Sequence, residues 1–265
     1  MTGGRLLCFG LGYTARALVR RLGPEWTVTA STRGDDGPLV PDGRFDRVTH
    51  ILVSIPPGTG GDPTLDRYGA AIRELRELRW LGYLSTTGVY GTRDGGWVDE
   101  DAELRPTGPR GARRVAVERE WRRRGAHVFR LAGIYGPGRS AFDALRAGNA
   151  RRIDAGTQVF SRIHVDDIAA VLLASMARPR PGAVYNVCDD EPAAQQAVVA
   201  HAARLLGIAP PPLVPLAEAG LSPLARSFYA DDKRVANALI KRELGVALAC
   251  PDYRHGLAAI LAAGG

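Results

Sequence analysis

The sequence predicts an α/β protein, a doubly wound parallel sheet with helices on both faces and a small C-terminal lobe. Three observations point that way. Short apolar runs alternate with helix-like segments along most of the chain, as expected for strands buried on both faces and joined by helices. A glycine-rich turn, FGLGYTARAL, closes the first apolar run. The 265 residues, 45% of them hydrophobic, suffice for one substantial core and an appended lobe.

Leu6 to Phe9 reads as the first strand and Tyr13 to Leu22 as the helix after it. Trp26 to Ser31 is a second strand, Gly34 to Arg44 a polar loop, and Ile51 to Ser54 a third apolar run. Helical periodicity covers Thr64 to Leu78, and Leu81 to Ser85 is another strand. Val115 to Arg124 continues a long charged helix, followed by the strand His127 to Leu131. Val165 to Ala177 is a helix, Val184 to Val187 a strand, and Ala194 to Leu206 a helix that Gly207 terminates. The segment APPPLVP, Ala209 to Pro215, reads as a stiff exposed connector within the C-terminal lobe. The expected division is 1–160 for the nucleotide-binding domain and 161–265 for a mixed region. In the latter a helix and a strand return to the sheet before the small substrate lobe.

Composition removes several classes. Gly and Pro, 32 and 18 residues, stay below the roughly 25–30% of low-complexity chains. The longest apolar stretch, Ile168 to Ala177, is about half of the roughly 20 residues that a membrane span needs. The N-terminal run lacks the long apolar segment and cleavage site of a signal peptide. Cys8, Cys188 and Cys250 are an odd, scattered set without metal-ligand spacing, so a reduced cytoplasmic setting and no metal are expected. Of 35 basic residues only Lys233 and Lys241 are lysines. A skew of that kind follows codon composition, so the net charge of +7 does not indicate nucleic acid.

The turn places Gly10, Gly12 and Ala15 at the three positions of a G-x-G-x-x-G/A motif between strand and helix. The first Gly permits the tight turn and the second admits a pyrophosphate. The small third residue lets helix and strand pack closely, and a free helix N-terminus faces the phosphates. Tyr13 and Thr14 complete this Rossmann-type turn. The second strand ends Ser31-Thr32-Arg33, with no acidic residue at its tip to hold a ribose 2′-OH. Arg33 suits a 2′-phosphate instead, which favours NADP over NAD, although Asp35 and Asp36 follow closely. Ser54-Ile55-Pro56 follows a strand end, where backbone commonly lines the adenosine or ribose.

Further motifs follow in order: YLSTTGVYG (Tyr83 to Gly91), RLAGIYGPGR (Arg130 to Arg139), SRIHVDDIA (Ser161 to Ala169) and YNVCDDEP (Tyr185 to Pro192). With the glycine turn, the chain resembles the atypical, nucleoside-diphosphate-sugar-epimerase-like members of the extended short-chain dehydrogenase/reductase superfamily, from Leu6 to about Leu257. The resemblance implies a Rossmann domain, a substrate lobe and an active site between them. It places Thr86 at the catalytic Ser/Thr position, Ser85 and Gly133 on the cofactor side, and Arg162 and His164 facing substrate. Sugar nucleotides are the family's commonest substrates, and helices flanking the sheet often form its homodimers.

That family carries a Tyr and, four residues on, a Lys. In PTGPRGARRVAVE those positions hold Arg110 and Arg114. Arg has no acceptor and stays protonated, so Arg110 cannot relay a proton, whereas Arg114 can still donate to a ribose or phosphate. The pair reads as a solvated helix face, as an anchor for cofactor or acidic substrate, or as a mark of lost catalysis. Thr87 and Gly88 replace the acidic residues of the sugar dehydratases. Tyr90 and Tyr135 either supply a displaced proton donor or, as is commoner, pack their rings with one satisfied hydroxyl; Arg139 either binds substrate phosphate or carboxylate or is a solvated loop residue. Asp166 and Asp167 suit a helix N-terminus, Cys8 a buried core, and Cys188 a cleft edge. The seven arginines from Arg110 to Arg124 read as charged surface, with Trp121 packing their helix on the sheet. The expected function is an NAD(P)-binding oxidoreductase or epimerase-like protein acting on a small molecule. Its rival is a non-catalytic dinucleotide sensor.

Overall fold

The computed structural model describes residues 3–34, 37–40, 45 and 47–264, with the backbone alone at 33–34, 37–39 and 224. The chain opens with β1 (Arg5–Phe9), α1 (Tyr13–Val19) and β2 (Thr27–Ala30). Next come β3 (Thr32–Gly34) and β4 (Gly37–Leu39), an antiparallel hairpin in place of the expected polar loop. The chain returns through β5 (His50–Val53), α2 (Pro63–Arg73) and β6 (Trp80–Thr86). A 3-10 turn at Thr87–Tyr90 precedes β7 (Trp97–Val98), α3 (Pro109–Arg123), β8 (His127–Leu131) and β9 (Gly133–Tyr135). Beyond these lie α4 (Ala141–Arg146), β10 (Arg152–Asp154), β11 (Arg162–His164), α5 (Val165–Ala177) and β12 (Val184–Val187). The C-terminal part holds α6 (Gln195–Leu205), β13 (Leu213–Pro215), α7 (Pro223–Phe228), β14 (Arg234–Val235), α8 (Ala238–Leu244) and α9 (Tyr253–Ala262).

Six strands form the central sheet in the order β12-β8-β6-β5-β1-β2, and every pairing is parallel. The direction of winding reverses between β1 and β5. Loops leaving the two strands diverge there and open a crevice at their carboxyl ends. The inner strands β1, β5 and β6 are largely apolar because both faces are covered. Leu6 and Cys8 join one core with Leu52, Trp80, Leu84 and Phe129, beneath α5. Leu7 and Phe9 join the opposite core with Ile51, Val53, Tyr83 and Trp121, beneath α2 and α3. Small residues bring α1 close to α5, where Ala17 and Ala169 are buried with Val165.

Several bounds differ from those the sequence predicts. The α1 helix stops at Val19 and α2 at Arg73. The connector ends in β13, paired with β10, so its last three residues are strand. Two more short parallel pairs, β9 with β11 and β7 with β14, bind the C-terminal segments to the sheet loops. A separate cluster of Phe142, Ala202, Tyr253, Leu257 and Ile260 unites α4, α6 and α9. No helix among the described residues is long and apolar enough to cross a membrane.

His50 at the start of β5 is buried against the edge of Trp26, with ring centroids 4.7 Å apart, and its Nδ1 lies 2.8 Å from Thr49 Oγ1. Burial, aided by the charge of Arg79, lowers its pKa from 6.5 to about 4. The unfolded chain therefore takes up this proton first as pH falls. Stability held at neutral pH should drop by about 2–3 kcal/mol between 6.5 and 4 on account of His50 alone. Urea unfolding across that range should show the loss, and His50→Phe should flatten it.

Candidate functional site

The turn after β1 is held from two sides. Gly10 has φ +88°, and a Cβ there would lie 2.8 Å from Ser54 Oγ and 2.9 Å from Ile55 Cγ1. Its N–H donates to Ser31 Oγ at 3.2 Å, and Ser54 Oγ donates to its carbonyl at 2.7 Å. The tips of β2 and β5 thus fix the loop between them. Gly12 is the opposite case. It is the N-cap of α1 and has no capping side chain, so the first helical N–H groups stay open. A Cβ on Gly12 would meet nothing within 4 Å. Ala15 is fully buried against the sheet.

A cavity of about 920 Å³ begins at this turn and continues across the carboxyl edge of the sheet into the C-terminal lobe. Gly12, Tyr13, Thr14, Ala15, Ser54 and Pro56 line its first part; Ser85, Thr86, Arg114 and Gly133 its middle; Tyr135, Arg139 and Arg162 its far part. Gly10, Ser31, Thr32, Ile55 and His164 are not among the lining residues. The first two and Ile55 support the turn from behind. Arg33 stands in β3, but its side chain, like Asp35 and Asp36, lies outside the described residues.

Thr86 ends β6, and its Oγ1 accepts the Gly88 N–H at 3.1 Å. Arg110 and Arg114 lie on the first turns of α3 and both line the cavity. Arg114 is committed to β6, donating to Tyr83 Oη at 2.9 Å and to the Leu84 carbonyl at 2.8 Å. Arg110 is exposed and its guanidinium sits 6.0 Å from the Phe228 ring centroid. Trp121 stacks on Tyr83 and donates to Asp62 Oδ2 at 3.0 Å, which seats α3 on the sheet.

Under the middle of the cavity lies a buried polar network. Glu118 of α3 receives Ser85 Oγ at 2.5 Å and Arg130 Nη2 at 3.0 Å. Arg130 also donates to Tyr90 Oη at 2.8 Å, and Tyr90 donates to Asn186 Oδ1 at 2.7 Å. Tyr90 therefore follows the packing reading and serves as internal support, not as a displaced proton donor. It is fully buried, and burial pushes its phenol up to about 12. Cys188 directly follows β12 and is wholly buried, with its thiol directed to the Val235 carbonyl. Cys8 lies in the core.

In the far part Tyr135 turns its hydroxyl toward the Asp252 carbonyl, and Tyr13 donates to the Pro137 carbonyl. Arg139 lies over the Tyr13 ring. Arg162 donates to the carbonyls of Phe160 and Ala193, both at 2.7 Å. His164 is the N-cap of α5: its Nδ1 accepts the Asp166 N–H at 3.3 Å, and its ring meets the edge of Tyr135. Asp167 does more than favour a helix dipole, because it accepts the N–H groups of Ala249 and Cys250 and pins the C-terminal segment.

Sequence reasoning passed over Tyr229, Asp231 and Lys233, which also line the cavity. Lys233 is 8% exposed and donates to Asp231 Oδ2 at 3.1 Å. Asp231 Oδ1 accepts Thr107 Oγ1 at 2.6 Å, and Gln158 Nε2 donates to the carbonyls of Tyr229 and Asp231. Burial lowers the Lys233 pKa from the ordinary lysine value, with Asp231 opposing it. The available signal was the rarity of lysine in so arginine-rich a chain. Among the described residues no cluster of His, Cys, Asp and Glu able to hold a metal is present.

Comparison with protein-family models finds no match. Protein YeeZ of Escherichia coli K12 is 26% identical over 213 residues, covering 76% of this chain and 72% of YeeZ. A solved protein of unknown function from Silicibacter pomeroyi is 52% identical, with TM-score 0.92 over 98% of this chain and 99% of that one. A candidate NAD-dependent epimerase/dehydratase from Methylobacillus flagellatus is 25% identical, with TM-score 0.71, covering 100% and 99%. The dTDP-glucose 4,6-dehydratase of Bacillus anthracis in complex with NAD is 16% identical, with TM-score 0.73, covering 98% and 96%.

The two glycines of the turn should respond differently to substitution. Gly10→Ala should lower stability by about 1–2 kcal/mol for the left-handed backbone alone, whereas Gly12→Ala should leave the urea midpoint unchanged. Glu118→Gln should cost about 3–5 kcal/mol in the same experiment, since it leaves Arg130 buried without its counter-charge.

Proposed function

We propose that the chain is an oxidoreductase using a nicotinamide dinucleotide, a reading supported by its likeness in fold to NAD-dependent epimerase/dehydratase-like proteins of the extended short-chain dehydrogenase/reductase superfamily. The observation that carries this reading is the single continuous cavity, open at Gly12 and passing Thr86 on its way into the lobe. An unfilled space at the one motif position where a side chain would obstruct a pyrophosphate fits such a cofactor.

In this reading residues 1–160 hold the dinucleotide and 161–265 contribute much of the substrate side. Gly12, Tyr13, Thr14 and Ala15 present backbone to the pyrophosphate on the turn that Gly10 permits, with Ser54, Ile55 and Pro56 beside the adenosine or ribose. Ser31, Thr32 and Arg33 favour a 2′-phosphate, hence NADP over NAD. Ser85, Arg114 and Gly133 flank the nicotinamide end. When bound, the dinucleotide supplies or accepts a hydride. Thr86 accepts the Gly88 N–H, so its own proton is left to donate to a substrate oxygen. Tyr135, Arg139 and Arg162, with His164 beneath them, shape the substrate end. Its cationic lining suits an anionic small molecule, a sugar nucleotide included.

On the superfamily's spacing Arg110 and Arg114 stand where its Tyr and Lys are expected. Arg114 is already committed to Tyr83 and Leu84, which favours a second reading, a dinucleotide sensor without turnover.

Fluorescence titration with NADPH and NADH tests the cofactor assignment. NADPH should bind about tenfold tighter or more, and Arg33→Ala should lose about 10- to 100-fold for NADPH while sparing NADH. Binding of neither nucleotide overturns the proposal. Thr86→Ala should keep NADPH affinity and lose most turnover across a panel of carbonyl compounds. Tight binding with no turnover by the unmodified protein selects the sensor.

A further inference from the structure

If this site reduces a substrate, a proton has to come from somewhere other than the N-terminal turns of α3. Arg110 and Arg114 remain charged and offer no transferable proton near neutral pH. The described lining also holds Thr86, an alcohol that can hydrogen-bond a substrate oxygen but gives up no proton near neutral pH, and Tyr13, Tyr135, Tyr229, Asp231 and Lys233. Tyr13 and Tyr135 direct their hydroxyls to backbone carbonyls, and burial raises the pKa of all three phenols. Asp231 is engaged at both oxygens, by Thr107 and by Lys233. Lys233 remains. Asp231 takes one of its three N–H groups, and Lys233 lines the cavity while otherwise buried.

The residue type matters at this position. The chain uses arginine for nearly every cation, and arginine cannot be deprotonated in a protein, whereas a buried lysine shifts its pKa readily. Asp231 is in turn anchored through Thr107, two residues before the α3 helix that carries Arg110 and Arg114. The charge around Lys233 is mixed. Asp231 and Asp232 favour its ammonium form, while burial and Arg93 disfavour it. Arg110, Arg114 and Arg162 add positive charge to the same cavity.

We propose that Lys233 is the proton donor of this site, held toward the cavity by Asp231, in place of the phenol that α3 lacks. The assignment rests on the oxidoreductase reading above and names its substrate class as a compound with a polarised C=O or C=N bond. A bound reduced nicotinamide would supply the hydride to the substrate carbon and be left oxidised. The π pair of the double bond moves to the heteroatom, which takes a proton from Lys233 Nζ. The neutral amine then regains a proton from solvent.

Two lysines make a direct test practical. Reductive methylation with ¹³C-formaldehyde labels both, and Lys233→Arg identifies the signal of interest. That signal should titrate below the ordinary lysine value, because burial disfavours the ammonium form. Asp231→Asn should lower it further, since a carboxylate that stabilises the ammonium is gone, and saturating NADP should shift it. A Lys233 signal titrating at the ordinary value, unmoved by NADP, or missing because formaldehyde cannot reach the amine overturns the assignment. NADPH affinity should be unchanged in Lys233→Arg. NADPH oxidation by unmethylated protein, with a panel of carbonyl compounds headed by 9,10-phenanthrenequinone, should fall by about 10²-fold or more in Lys233→Arg and Lys233→Met. Oxidation that survives Lys233→Arg, where charge is kept and the transferable proton lost, overturns the assignment alone. Absence of NADPH binding or oxidation in the unmodified protein overturns the oxidoreductase reading, and the assignment with it.

Discussion

The buried pair of Glu118 and Arg130 is the contact on which the geometry of the cavity depends. Both side chains are almost wholly removed from water, at 2% and 3% exposure. Desolvating two charges costs more than their attraction returns unless the remaining donors and acceptors are filled. Here Ser85 fills a position on the carboxylate, and Tyr90 and the Glu100 carbonyl fill positions on the guanidinium. The consequence is orientation. Glu118 fixes the rotation of α3 about its axis, which turns Arg114 onto β6 and leaves Arg110 facing the cavity. Ser85 in the same network fixes the end of β6, where Thr86 begins the 3-10 turn.

A second constraint comes from the winding of the sheet. With β1 flanked by β2 and β5, the turn at Gly10 is held by serines from the ends of both neighbours. The loop is rigid before any ligand arrives, and preorganised backbone donors need little rearrangement to meet an anion. Cations line the rest of the cavity, and their fields are focused by its apolar walls. Among the described lining residues one acidic group, Asp231, stands with them, already paired with Lys233.

The long elements were legible because they repeat a pattern. Strand β8, helix α5 and strand β12 have the bounds read from apolar periodicity, each buried in contact with the same cores. Elements of two or three residues carry too little pattern to be read. The pairs β7 with β14 and β10 with β13 join residues far apart in sequence, and each exists only because its partner is brought alongside. Helix ends contracted for a related reason: α2 loses its periodic support once the chain turns back toward β6. Among single residues, Tyr90 and Tyr135 carry the same phenol in similar motifs. One is sealed beneath the sheet edge and the other reaches the cavity wall.

The sequence by itself determined the sheet class, the glycine turn and the absence of an acidic residue at the tip of the second strand. Those features depend on local sterics and on two-sided burial, which residue order encodes directly. Only the tertiary structure decided that His164 caps α5 and lies outside the cavity lining, and that Arg114 is tied to β6. It alone set Lys233 beside Asp231 in the cavity lining. Each of these depends on which side of a turn a side chain leaves and on what segment lies opposite. Long-range packing fixes both, and no local pattern records either.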